Sequence, residues 1–245
     1  MTLTVATYNI LHGGAVGGAW SRLAAAIRES RAELVGLQEV DRATRRMGGS
    51  DGTAELAALL GWRFADFAPA MPFDGGEYGI SLLSRYPAAM PDRVEHLPLP
   101  HRAGEEPRVC LQACLSLPEG RVLHMLNTHL SVESSASRRR QIALLRERLE
   151  AIPSDEPFLL VGDFNTDDPA ELAELLGAER VAAVNRLERL ETDSLTDAPH
   201  FHTFREPPMA IDNIFYDRRN LTLTACGMRF GEESDHNLLW ASFAY

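Results

Sequence analysis

Asp163 and Asn165 stand two residues apart just beyond the apolar run Phe158 to Val161. In an extended chain that spacing turns both side chains to one face. Pro157 precedes the run and Gly162 follows it, which marks a short buried strand. A carboxylate and an amide on one face can orient a water molecule and hold an oxygen-rich substrate. The same pair also serves as an Asx turn closing a strand. Polar residues of similar kind end four other strands. The full set is Asn9, Glu39, His129, Asp163, Asn165, Asp212, Asp235 and His236.

This set is rich in hard oxygen ligands, has two histidines and lacks cysteine, so it favours Mg²⁺ or Mn²⁺ over zinc. A glutamate ending an apolar strand, as Glu39 does, is either a solvated terminus or a metal ligand. Asp212 lies inside the run Ile211-Asp212-Asn213-Ile214-Phe215, and a buried aspartate needs a partner or a cation. Asp212 and His236 can form a carboxylate-oriented imidazole, which fixes a tautomer and raises basicity. A metal, such a dyad and Asp163 together suit hydrolysis of a phosphate ester. No His-Glu-x-x-His helix, Gly-x-Ser-x-Gly elbow or cysteine-pair motif occurs.

The elements that must position these residues are mostly short strands. Alternation or apolar runs predict strands over 2–8, 33–37, 62–67, 78–84, 108–117, 121–127, 158–161, 210–216, 221–228 and 238–243. Periodicity and capping residues predict helices over 20–29, 52–60, 136–151 and 170–176. Residues 179–190 read as a further helix, and 192–202 as loop. The glycine-rich stretch after the first strand invites a dinucleotide-binding reading, but Ala15 stands where a glycine should admit the pyrophosphate. A glycine-lined loop beside a cleft fits better. Arg138-Arg139-Arg140 read as a solvated helix face paired with Glu147 and Glu150. With strands outnumbering helices, two sheets packed face to face with helices outside accommodate the pattern.

The 245 residues, 45% hydrophobic and 24% charged, fit one large domain or two small ones, and a single domain over 1–245 is expected. The formal net charge is −11, and every basic residue other than histidine is arginine. Without lysine, Schiff-base catalysis and a phosphate loop ending in Gly-Lys are excluded. The acidic balance disfavours tight non-specific binding to a nucleic-acid backbone. It leaves room for a small phosphorylated substrate at a site made positive by a metal ion. No apolar stretch is long enough to span a membrane, and no signal peptide is evident. Three cysteines, Cys110, Cys114 and Cys226, suit a reduced cytoplasmic protein, and a monomer is expected.

Seven short motifs then occur in order: Thr7-Tyr8-Asn9-Ile10, Leu37-Gln38-Glu39-Val40, Leu83-Ser84-Arg85-Tyr86-Pro87, Asn127-Thr128-His129-Leu130, Gly162-Asp163-Phe164-Asn165, Ile211-Asp212-Asn213-Ile214-Phe215 and Ser234-Asp235-His236. Over nearly the whole chain this resembles the endonuclease/exonuclease/phosphatase superfamily, the DNase I-like fold. The resemblance implies an α/β (α+β type) four-layer sandwich, two packed mixed β-sheets flanked by helices, with the site at one edge between the sheets. It implies a divalent-metal-dependent phosphoesterase. Glu39 would be the principal metal ligand, helped by Asn9 and Asp235. Asp163 and Asn165 would orient water and phosphate, and His129 would donate to a phosphate oxygen. His236, held by Asp212, would act as charge stabiliser or acid/base. Whether Asp163 or His236 takes the water's proton stays open.

Tyr78, Arg108 and Asn127 are the candidate substrate contacts; Tyr78 and Arg108 are equally well explained as ordinary strand residues. His200 and His202 are further candidates. The sequence departs from many members in having Asn237-Leu238 after Ser234-Asp235-His236. The expected activity is hydrolysis of a small or lipid-derived phosphodiester or phosphomonoester. The alternatives are a nuclease, with Arg102, Arg108 and Arg138 to Arg140 as a basic track, and a non-catalytic binding module on the same fold.

Overall fold

Strand residues with alternating burial must find two partners, one on each face, and this chain supplies both. The computed structural model describes residues 1–89, 93–185 and 201–245. Its strands are β1 (Thr2–Asn9), β2 (Leu34–Arg42), β3 (Phe64–Phe73), β4 (Gly76–Ser84), β5 (Val94–Pro98), β6 (Val109–Ser116), β7 (Val122–His129), β8 (Phe158–Asp163), β9 (Val181–Ala183), β10 (Asp212–Asp217), β11 (Thr222–Arg229) and β12 (Leu238–Ala244). Its α-helices are α1 (Trp20–Glu29), α2 (Gly52–Leu60), α3 (Ser135–Glu150) and α4 (Pro169–Leu176).

The strands form two six-stranded mixed sheets, ordered β11-β12-β1-β2-β4-β3 and β5-β6-β7-β8-β10-β9. Each sheet has one parallel pair, β1 with β2 and β7 with β8, bridged by α1 and α3 respectively. The remaining pairs are antiparallel, which gives the mixed sheets and flanking helices that the sequence predicts. Leu3, Val5, Leu111, Met125, Leu159, Val161 and Ile214 pack in the layer between the sheets. Ala6, Tyr8, Val35 and Leu37 face α1 and α2, where Trp20, Leu23, Ala24 and Ile27 make the apolar stripe of α1. Leu126, Phe158 and Leu160 face Ile142, Leu145 and Leu149 of α3 and Leu172 of α4.

Capping follows the chemistry of the sequence. Asp51, Ser134 and Asp168 accept backbone N–H groups at the starts of α2, α3 and α4. Between the sheets the chain comes unusually close to itself at Gly36. A Cβ there would stand 2.4 Å from Val161 Cγ2 and 2.7 Å from Asn127 Oδ1, so only glycine fits.

Three local expectations differ. Val181–Ala183 is a short edge strand on β10, not helix; residues 186–200, including His200, lie outside the described residues. β3 runs well past Phe67, because its length is set by pairing with β4. Arg138 does not pair along its own helix but forks onto Glu171 of α4 at 2.5 and 2.9 Å, while Glu150 is held by Arg146. No helix among the described residues is long and apolar enough to cross a membrane.

Candidate active site

The inner faces of the central strands change character along their length. On β1, Leu3 and Val5 give way to Thr7 and then Asn9; on β7, Leu123 and Met125 give way to Asn127 and His129; on β8, Leu159 and Val161 lead to Asp163. Strand register then brings the terminal residues together. Asp163 lies beside His129 on parallel β7 and opposite Asp212 on antiparallel β10. The first sheet contributes Asn9 at the end of β1, Glu39 on β2 and His236 just before β12.

Asn9 joins the two halves. Its Nδ2 donates to Glu39 Oε1 and to Asp163 Oδ2, both at 3.0 Å. Its Oδ1 accepts from Leu11 N at 3.1 Å and keeps a second lone pair. Glu39 reaches Asn9 because β2 is bulged there: the register with β4 slips between Leu37 and Val40, and Glu39 has φ 54°. A bulge re-aims a side chain that regular pleating would point elsewhere. Asp235, half-buried, accepts from Ser234 Oγ at 3.2 Å.

Asp163 is buried and sits among donors. Its Oδ1 accepts from Asn165 N at 2.9 Å, while Asn165 Nδ2 donates to Leu130 O. His129 Nε2 and His236 Nε2 lie 3.6 and 3.7 Å from Asp163 Oδ2. Those spacings exceed a hydrogen bond. Burial, reinforced by the charge of Asp212, raises the Asp163 carboxyl from 3.8 to about 7, against the pull of His236, Asn9 and Asn165 N.

The two histidines are set in opposite states. Arg108 Nη1 lies 3.1 Å from His129 Nδ1. A guanidinium can only donate, so Nδ1 accepts and the imidazole carries its proton on Nε2. Burial, then Arg108 and His236, hold His129 well below the usual histidine value. His236 Nδ1 lies 2.8 Å from Asp212 Oδ2. Burial opposes charge on His236, but Asp212, Asp163 and Asp235 outweigh it and lift the imidazole to about 10. The result is a neutral His129 and a cationic His236, each with Nε2–H directed at the Asp163 carboxylate.

Among the described residues, Asp212 Oδ1 is buried without a hydrogen-bond partner. Ligand atoms of Asp163, Asp212 and His236 lie within 4.8 Å of one another. An orphaned carboxylate oxygen amid oxygen donors fits a site that receives a cation or a protonated group.

Of the candidate substrate contacts, Tyr78 and Arg108 are both buried, and Arg108 stands behind His129; burial raises the Tyr78 phenol against the pull of the Arg108 guanidinium. Arg108 also pairs with Glu106 at 2.8 Å. Asn127 does not reach the site. It is fully buried beneath it, donating to Leu37 O at 2.9 Å and Ser81 O at 2.8 Å and accepting from Gln38 Nε2 at 2.6 Å. Both its donors and its carbonyl oxygen serve the seam between the sheets. His202 is exposed. The sequence reading missed the seam role of Gln38 and the fork of Arg46 onto buried Asp41 at 2.6 and 2.7 Å, which no apolar run or motif singles out.

Residues 6–236 match the Endonuclease/Exonuclease/phosphatase family. An uncharacterized protein of Escherichia coli K12, YbhP, is 31% identical over 149 residues, covering 57% of this chain and 56% of YbhP. The chain thus spans little more than half the length of that relative. An endonuclease/exonuclease/phosphatase structure from Beutenbergia cavernae superposes with TM-score 0.77 at 21% identity, over 99% of this chain and 71% of the other. A mannosyl-6-phosphatase from Bacteroides thetaiotaomicron superposes with TM-score 0.71 at 16% identity, over 99% and 100% of the two chains. At these identities the structural matches show a shared fold.

Proposed function

The chain belongs to the endonuclease/exonuclease/phosphatase family, whose members act on phosphoesters, and on that premise we propose that it is a divalent-metal-dependent phosphoesterase. It hydrolyses a small or lipid-derived phosphodiester or phosphomonoester by in-line attack of water. One observation carries this reading: Asp163, a neutral imidazole and a cationic imidazole converge on one point, with Glu39 joined to them through Asn9.

The donor set fits a hard cation, being carboxylate- and amide-rich and free of cysteine. Glu39 and Asp235 would hold it, with the spare lone pair of Asn9 Oδ1. Bound there, it would neutralise charge developing on the phosphoryl oxygens and the leaving group. The chain's own groups do the rest. Asp163, with a carboxyl near neutrality, accepts the proton of the attacking water, and Asn165 fixes its orientation through the backbone bond to Oδ1. His129 donates Nε2–H to a phosphoryl oxygen, with Arg108 locking that tautomer. His236 presents its charge to the phosphate, and Asp212 keeps it protonated and oriented. The assignment of Asp163 as base follows from His236 already holding its proton.

The net charge of −11 supports a small substrate over a nucleic-acid polymer. The test is hydrolysis of bis-p-nitrophenyl phosphate beside p-nitrophenyl phosphate, with Mg²⁺, Mn²⁺ or EDTA, and Asp163→Asn protein as the blank. Turnover that needs the metal and vanishes in the variant is expected. Turnover that persists in EDTA would remove the metal from the reading.

A further inference from the structure

Arg46 lies on the turn Arg45–Met47, just beyond the Glu39 bulge, and is held with unusual firmness for a surface arginine. Its Nε and Nη2 donate to Asp41 Oδ2 and Oδ1 at 2.6 and 2.7 Å. Asp41 is fully buried and takes a third bond, from Thr44 Oγ1, at 2.6 Å. The guanidinium lies 4.4 Å over the Phe73 ring and 5.8 Å from the centre of Tyr78. The β3–β4 hairpin tip clamps the turn, since Asp74 accepts Arg46 N at 2.7 Å and Arg45 Nε at 3.0 Å. Gly76 permits this approach, because a Cβ there would stand 2.3 Å from Arg42 O.

One edge of the guanidinium is left over. Asp41 takes the Nε–Nη2 side, and among the described residues Nη1 has no hydrogen-bond partner. About a third of the side chain is open to solvent (32%). Asp41 lies behind, out of contact with solvent, so the open edge offers only donors. Arg46 stands on the same side of the molecule as the metal-site carboxylates: it follows β2, whose bulge turns Glu39 towards Asn9, and its guanidinium is 5.8 Å from Tyr78, the β4 residue opposite Asp41. The charge of Glu39 favours the Arg46 cation, and half-buried His12 is lowered by burial and then by Arg46. An arginine fixed in place loses little freedom on binding, and its planar fork matches carboxylate and phosphate oxygens.

We propose that the open edge of Arg46, stacked on Phe73, is a subsite for a second oxyanion, so that the preferred substrate is a phosphoester carrying a further phosphate or carboxylate near the scissile ester. This rests on the phosphoesterase reading above and narrows its substrate class.

The test compares three chromogenic diesters that differ in one group: ethyl, 2-carboxyethyl and 2-phosphonooxyethyl p-nitrophenyl phosphate. The wild-type protein should favour one or both charged esters in kcat/KM by about tenfold, largely through KM, the scale of one charge-assisted hydrogen bond. The carboxylate and phosphate arms tell which oxyanion is read. Arg46→Lys keeps a cation on Asp41 but loses the fork, and should bring the ratio towards unity. Asp41→Asn with Arg46→Gln removes both charges of the pair and guards against misfolding caused by a stranded carboxylate. No preference in the wild type, or a ratio unchanged in both variants, overturns the subsite. An equal loss on all three esters also overturns it. Failure of every ester with wild-type protein would count against the phosphoesterase reading instead. Calorimetric titration of metal-free protein with ethyl phosphate and with ethane-1,2-diyl bisphosphate then decides the subsite: an affinity gain for the bisphosphate that Arg46→Lys abolishes supports it, and its absence overturns it.

Discussion

Two polar clusters lie between the sheets, one above the other, and both are buried apart from half-buried Glu39. The lower one is Thr7, Gln38, Asn127 and the Ser81 carbonyl; the upper one is Asn9, Glu39, His129, Asp163, Asp212 and His236. The lower cluster is neutral and closed: Asn127 makes three hydrogen bonds, and Gln38 spans from Asn127 to Thr7. The upper cluster is charged and open: Asp212 Oδ1 has no partner among the described residues, two imidazoles stop short of Asp163, and Asp163 and His236 are shifted far from their ordinary values. Burial alone therefore does not separate structure from chemistry. A satisfied polar network specifies how the sheets dock, whereas an unsatisfied one has valences left for a substrate.

The largest effects should separate these clusters most cleanly. Asp163→Ala or His236→Ala is expected to lower the rate by roughly 10²–10⁴ while leaving the far-ultraviolet circular dichroism unchanged. Wild-type turnover in either protein would break the assignment of the upper cluster. Asn127→Ala should do the reverse. It strands Gln38 and two carbonyls and should destabilise by about 3 kcal/mol in denaturant titration. Turnover per folded molecule should stay within about threefold of wild type. If Asn127→Ala keeps its stability and loses turnover, the lower cluster is not merely structural.

A finer distinction lies in the pH dependence of stability, measured on chelated protein. The Asp163 carboxyl is raised on folding, so its contribution is present below its unfolded value of about 4 and is lost as pH rises through about 7. The His236 imidazole is also raised, so its contribution persists below about 6.5 and is lost as pH rises through about 10. Asp163→Asn should abolish the first decline and melt a few degrees above wild type at pH 8, despite being inactive. A lower melting temperature there would show that Asp163 is a net stabiliser. The seam holds no ionisable side chain, so Asn127→Ala should shift the whole curve without changing its shape.

Much of this was legible in the sequence, for a definite reason. Strand ends are marked by a change from apolar to polar residues, so Asn9, His129 and Asp163 announce themselves, as do the sheets that carry them, and Asp212 stands out as an acid inside an apolar run. Depth along a strand is less visible. Asn127 and His129 have the same parity and face the same side of β7, and nothing in their spacing says that one is sealed under the sheets and the other is at the rim. The bulge that turns Glu39 towards Asn9 depends on a positive φ in a glutamate, which sequence does not foretell. Arg138 found Glu171 because tertiary packing of α3 on α4 outweighed the pairing available along one helix. The fixed position of Arg46 escaped notice since it comes from Asp41 behind it and Phe73 beneath it, with the β3–β4 hairpin folded over the turn.

The pairing of β1 with β12 has a consequence in time. The first strand of the chain lies between β2 and β12, and the register that sets Thr7 beside Leu239 also fixes the position of His236 against Asp212. During synthesis β1 waits through almost the whole chain for one of its neighbours, a closure that ranks among the slowest kinds in folding. Until β12 docks, the groups from Asn9 to Asp212 face one another without the imidazolium that balances them. A chain stalled or truncated before β12 should therefore turn over no phosphoester, however much of the rest has folded.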